Sequence, residues 1–131
     1  MEFPYQFERH YRDWFPILPI GLLGEGGRRV ETTAYVDSGA VFNIFGSYEA
    51  AMLGLRLSEG RRRPVTAGDG RLMHCSVFTL NMQVGSSSFK VDVGFSNDLK
   101  IGLNILGLNG FFDRFREVAI RHRARVVVLR P

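Results

Sequence analysis

The chain has 131 residues, with 17 Lys and Arg against 13 Asp and Glu, for a net charge of +4. That length builds one hydrophobic core and is short for two, so a single domain is expected. The mild basic balance falls below the concentrated patch of a dedicated nucleic-acid binder, and the lone cysteine, Cys75, excludes an intrachain disulfide and favours a reducing compartment, here the cytoplasm.

Residues 1–14 read as an aromatic arm ahead of a domain at 15–131. Six of the 16 aromatics (Phe3, Tyr5, Phe7, Tyr11, Trp14 and Phe15) fall in the first 15 positions, interleaved with charges. A solvated tail would carry few aromatics, so the arm should pack against its own domain, a second copy or a substrate. Its charges of both signs leave no apolar core for an export signal. The longest apolar run, FPILPIGLL at 15–23, is too short to cross a bilayer, so no membrane is expected as a partner.

From there the pattern is mostly β. Strand-like stretches occur at 15–23, 28–36, 41–45, 63–67, 71–83, 88–95, 101–106, 117–122 and 125–130. GEGG at 24–27, GDG at 68–70 and GSSS at 85–88 supply turns. Two short helices are predicted, one capped by Ser47 and stopping at Gly54, the other over NGFFDRF at 109–115. The arginine runs at 61–63 and 121–125 read as solvated charge on a loop and on a terminal hairpin. Contact with an acidic partner or nucleic acid is the minority reading of both. The final RVVVLRP is apolar on both faces and should be covered.

An internal repeat organises these elements. Asn43, Ile44, Phe45 and Gly46 match Asn104, Ile105, Leu106 and Gly107 in register, and each copy follows a strand and precedes a helical stretch. Two similar halves around a common core are expected. Between the halves' strands lies the one chemically conspicuous motif, VDSGA at 36–40. An isolated carboxylate among buried strands is costly to ionise, so Asp37 either caps a turn or has a function there.

The order strand, DSGA, strand, helix, Gly-rich hairpin, strand, NILG, helix resembles that of the retropepsin-like aspartic proteases. VDSGA matches their first signature and NILG at 104–107 their second, and the likeness covers residues 15–130. The resemblance implies an all-β fold with one or two short helices, a closed acid-protease barrel with pseudo-two-fold halves. It also implies an endopeptidase acting on peptide or protein substrates with no metal or other cofactor. Such enzymes need two carboxylates about 3 Å apart that share one proton. Only one Asp-Ser/Thr-Gly occurs here, so a homodimer with Asp37 from each chain is implied.

In the same terms Ser38 would bond across the dimer axis, the Gly39 amide would donate to the Asp37 carboxylate, and Ala40 would line the floor. Ala67, Gly68, Asp69 and Gly70 would form the tip of a flap over the substrate. Where retroviral members carry an Asp and an Arg as a bracing ion pair, this chain has Val41 and Leu108, which should lie near each other as an apolar replacement. His10, His74 and His122 have no metal-ligand spacing, and Cys75 reads as a packed core thiol. The alternatives are a catalytically silent binding module on the same fold and a basic partner- or nucleic-acid-binding β-domain.

Overall fold

The computed structural model describes residues 1–66, 70–99 and 102–131. Nine of its strands correspond to the nine predicted stretches. They are β4 (Ile17–Leu23), β5 (Arg29–Val36), β6 (Ile44–Gly46), β7 (Arg61–Thr66), β8 (Leu72–Val84), β9 (Ser87–Ser96), β10 (Asn104–Leu106), β11 (Glu117–Arg121) and β12 (Val126–Arg130). Three short strands precede them in the aromatic arm: β1 (Glu2–Pro4), β2 (Gln6–Glu8) and β3 (Asp13–Phe15).

The principal sheet runs β4-β5-β10-β6-β9-β8-β7, and β4 also pairs with β8, so the hydrogen-bonded order of six strands returns to its start with β7 on the outer edge. The core within this ring comes from inward residues of alternating strands, among them Leu18, Ile20, Leu22, Val36, Phe45 and Phe95. Strand β8 serves two clusters. Its early residues Met73 and Cys75 pack with Ile44. After Val77 the buried parity switches to Leu80, Met82 and Val84, which join the main core.

The repeat is visible as architecture. Hairpins β4–β5 and β8–β9 are equivalent units, each feeding a three-residue strand, β10 beside β5 and β6 beside β9, both parallel. Those two short strands meet antiparallel at Ile44 and Ile105, the same position of each repeat. The outer hairpins meet at Leu22 and Met82. A local two-fold axis through these two pairs relates the halves.

The halves differ after their short strands. The first continues into helix α1 (Ser47–Met52). Gly46 occupies its N-cap with no side-chain cap bond, so Ser47 is the first helical residue and not the cap. The second continues only into a 3-10 turn, Phe112–Arg114, where a helix over 109–115 is expected. Gly110 at φ +101° breaks the helical path, and Phe111 and Phe115 turn into the core.

The arm packs on its own domain. Strand β1 pairs with β12, β12 pairs with β11, and Tyr5 is buried in the main core. Val127, Val128 and Leu129 of β12 are covered as expected. The hairpin β2–β3 leaves Phe7, Tyr11 and Trp14 exposed. The arginines at 61–63 lie in edge strand β7, not in a loop, where charge and Pro64 suit an unpaired edge. Among the described residues no helix is long and apolar enough to cross a membrane.

Candidate functional site

Strand β5 ends at Val36, which is buried, and the chain turns at once. The Ala40 amide donates to the Asp37 carbonyl at 3.1 Å, closing a tight turn, and the Gly39 amide donates to Asp37 Oδ1 at 2.9 Å. The carboxylate therefore sits half-buried with one oxygen held by a backbone donor, while Ser38 and Gly39 are exposed. Asp37 caps its own turn and presents its acid at the surface.

The turn is laced to the second repeat. The Asp37 amide donates to the Leu106 carbonyl at 3.0 Å, the Leu108 amide to Ala40 at 2.9 Å and the Asn109 amide to Val41 at 2.8 Å. Two sequence motifs almost 70 residues apart thus form one piece of backbone. Val41 and Leu108 are brought side by side as expected, and both side chains are exposed, at 53% and 44%.

Beneath the turn the two repeat asparagines exchange hydrogen bonds. Asn43 Oδ1 accepts from the Gly107 amide at 3.1 Å, and Asn104 Oδ1 accepts from the Gly46 amide at 2.9 Å. Gly107 permits this because a Cβ there would fall 2.6 Å from the Phe42 backbone. The far ends of the two amides differ. Asn104 Nδ2 donates to the Thr33 carbonyl at 2.9 Å, to Glu49 Oε1 at 2.9 Å and to the Thr32 hydroxyl at 3.2 Å. Asn43 Nδ2 is buried with no partner among the described residues.

The local two-fold explains that difference. Thr32 maps onto Val91 and Glu49 onto Gly110, so the second half lacks both oxygen-bearing side chains. The same correspondence places Ser96 where the first half has Asp37, since Gly46 pairs with Ser96 just as Gly107 adjoins Asp37. Ser96 is buried, its hydroxyl donating to the His74 carbonyl at 2.8 Å. At the two equivalent positions each chain therefore offers one carboxylate, Asp37; Asp98, two residues past Ser96, accepts instead from the His74 amide at 3.2 Å. Sequence reasoning missed Ser96 because the repeat was aligned only from Asn43 onward; carried back along the preceding strands, it would have reached the serine.

Tyr35, next to last in β5 and close enough to feel the Asp37 charge, was also missed. Burial, and secondarily the negative Asp37 carboxylate, push its phenol above the usual 10.0. Cys75 is buried, and burial pushes its thiol up, as suits a core residue and not a nucleophile.

Of the residues expected over the site, Ala67, Gly68 and Asp69 lie outside the described residues. Gly70 is exposed at φ +84°, between the ends of β7 and β8. The part of this hairpin just before its turn packs near the acid's turn, because Val65 and Phe42 both join the Ile44, Met73 and Cys75 cluster.

A mostly β chain with two interlocked Asn-Ile-X-Gly strands and an acid at the head of one of them has the fold of the retropepsin-like aspartic proteases. It is similar to a crystal structure of a retropepsin-like aspartic protease from Rickettsia conorii, with a TM-score of 0.63 over 98% of this chain and 90% of that one. Sequence identity is 18%, a likeness of fold. No protein-family model matches the sequence, and no curated protein matches it.

Proposed function

We propose that the chain is an aspartic endopeptidase that works as a homodimer. The observation that carries this reading is the Asp37 carboxylate, held by the Gly39 amide on a doubly braced turn, with Ser96 at the equivalent position of the same chain. One chain supplies one acid, and the chemistry needs two.

With two Asp37 side chains facing each other across a dimer axis, mutual repulsion leaves one proton shared between them. The ionised acid takes a proton from a water molecule, and that water attacks the scissile carbonyl. The protonated acid donates to the carbonyl oxygen. The resulting tetrahedral species collapses as the acid that took the water proton passes it to the leaving amine while the other carboxylate takes back a hydroxyl proton, so the dyad returns to its single proton. The Gly39 amide keeps the carboxylate in one orientation throughout, which is the positioning that such a reaction requires. No metal takes part in this scheme. The ring of six strands serves as the closed barrel of the family, Ser38 and Ala40 frame the acids, and the β7–β8 hairpin acts as the flap that pairs with an extended peptide.

The test is cleavage of an unstructured protein by the purified chain, with sedimentation of the same samples. Cleavage that rises with dimer fraction, is blocked by a pepstatin-like inhibitor and is lost in Asp37→Asn supports the reading. A wild type that is monomeric at high concentration and leaves the substrate intact overturns it in favour of a silent binding module.

A further inference from the structure

A cleft beside the acid's turn has a chemistry that peptide hydrolysis does not explain. Its floor is apolar, with Phe42, Val77 and Val91, and its wall is edge strand β7. It opens next to the Asp37 turn: Phe42 lies two residues past Ala40 and bridges to Asn109, another lining residue.

The cleft's charge is unbalanced. Five cations line it, Arg61, Arg62, Arg63, Lys90 and Arg114, against two carboxylates, those of Asp92 and Asp113. Arg61 pairs with Asp92 at 3.0 Å and Arg114 lies 3.7 Å from Asp113, which accounts for both acids. Arg63 stacks over the Phe42 ring at 4.6 Å. Arg62 and Lys90 have no ion pair among the described residues.

Resting on the endopeptidase reading, we propose that this cleft selects peptide substrates carrying Asp or Glu away from the cleaved bond. An extended peptide leaving the Asp37 turn can continue along the free edge of β7, where unpaired backbone groups accept an added strand. Its acidic side chains would then meet Arg62 and Arg63, the arginines of that strand. A peptide fits better than a nucleic acid, because Asp92 and Asp113 interrupt the positive surface that a continuous phosphate chain would follow. Arginines on a free edge also prevent edge-to-edge association, and the test separates the two roles by reversing charge without removing it.

Binding is measured by fluorescence anisotropy with the Asp37→Asn protein, so that cleavage cannot consume the probe. The probes are a labelled extended peptide with two Glu residues on one side of an apolar centre, and its twin with Gln in their place. The Glu peptide is expected to bind about three- to tenfold tighter at low salt, as two partly exposed charge contacts allow. That preference should vanish in high salt, invert with Arg62→Glu plus Arg63→Glu, and persist with Arg62→Lys. Equal binding of the two peptides, or no response of their ratio to the charge reversal, overturns the acidic-substrate inference. Tighter binding of a single-stranded oligonucleotide of matched length overturns it in favour of nucleic acid. Wild-type cleavage of the same peptides decides the endopeptidase reading separately, since it depends on Asp37 and not on the Glu-to-Gln ratio.

Discussion

Asn43 and Asn104 each hold the glycine amide of the other's repeat, Asn43 at Gly107 and Asn104 at Gly46. This exchange fixes the two short strands to each other and gives the Asp37 turn a rigid base. The two asparagines are nevertheless unequal, because only Asn104 also satisfies the buried Glu49 carboxylate. Asn104→Ala leaves that carboxylate with Thr32 as its remaining side-chain partner and should cost about 2–4 kcal/mol. Asn43→Ala loses one acceptor but also removes an Nδ2 group with no partner among the described residues, so about 1–2 kcal/mol is expected. Urea denaturation of the two variants checks the order.

The unpartnered Asn43 amide yields a second expectation. A threonine at Val91 would restore what Thr32 supplies in the other half, an oxygen beside the amide, without changing side-chain volume. Both the Val91 side chain and Asn43 Nδ2 lie within 2.9 Å of where a Gly110 Cβ would stand, so the two groups are close. Val91→Thr should therefore be neutral or stabilising. Val93→Thr, equally buried in the same core, should cost about 1–3 kcal/mol for an unpaired hydroxyl. Thermal denaturation of both variants distinguishes a satisfied hydroxyl from an orphaned one.

The repeat's two glycines are likewise distinct. A Cβ at Gly107 would press on the Phe42 backbone at 2.6 Å, and backbone cannot swing aside. At Gly46 the nearest atom is a Glu49 carboxylate oxygen at 3.4 Å, an ordinary contact. Gly107→Ala is expected to cost about 3 kcal/mol or more and to dislodge the Asp37 turn, while Gly46→Ala should cost under about 1 kcal/mol. Expression yield and melting temperature measure the difference.

Where short apolar, β-branched runs are bounded by Gly-rich turns, as from β4 to β12, strand positions were legible in the sequence. The arm's strands were not, because three-residue strands interleaved with charge leave no period to read. The arginine run at 61–63 looked like a loop since an edge strand exposed on both faces has no apolar stripe. The second helix failed through Gly110, whose positive φ a sequence does not announce. Asp37 was readable as a turn residue, and its Gly39 donor only through the family resemblance. The asparagine exchange was not, because each partner lies in the opposite repeat, although the repeat itself carried the information.

Tyr35 offers a probe of the acid's field. Its phenol titrates above 10.0 through burial first and the Asp37 charge second. A group whose folded pKa is raised lends stability that is complete below its unfolded pKa and is lost as pH climbs through the folded value. Stability should accordingly decline above pH 10, and Tyr35→Phe should make that decline shallower. Asp37→Asn removes the charge contribution while leaving burial, so the Tyr35 phenolate should appear at lower pH than in the wild type, a shift read by ultraviolet titration. An unchanged Tyr35 titration in Asp37→Asn would mean that the carboxylate exerts no field there.

Val41 and Leu108 provide the sharpest test of association through the Asp37 face. Their backbones are joined by the Leu108-to-Ala40 and Asn109-to-Val41 bonds, and both apolar side chains stand exposed beside the acid. If that surface is the dimer interface, burying it stabilises the dimer by roughly 25 cal/mol for each Å² of apolar area covered. Val41→Asp would bury a charge without a partner, so the dimer should weaken by at least about tenfold in sedimentation. Adding Leu108→Arg to Val41→Asp gives that charge a neighbour, and part of the lost association should return. A Val41→Asp protein that dimerises as the wild type does would place the interface elsewhere on the molecule and leave Asp37 without its counterpart.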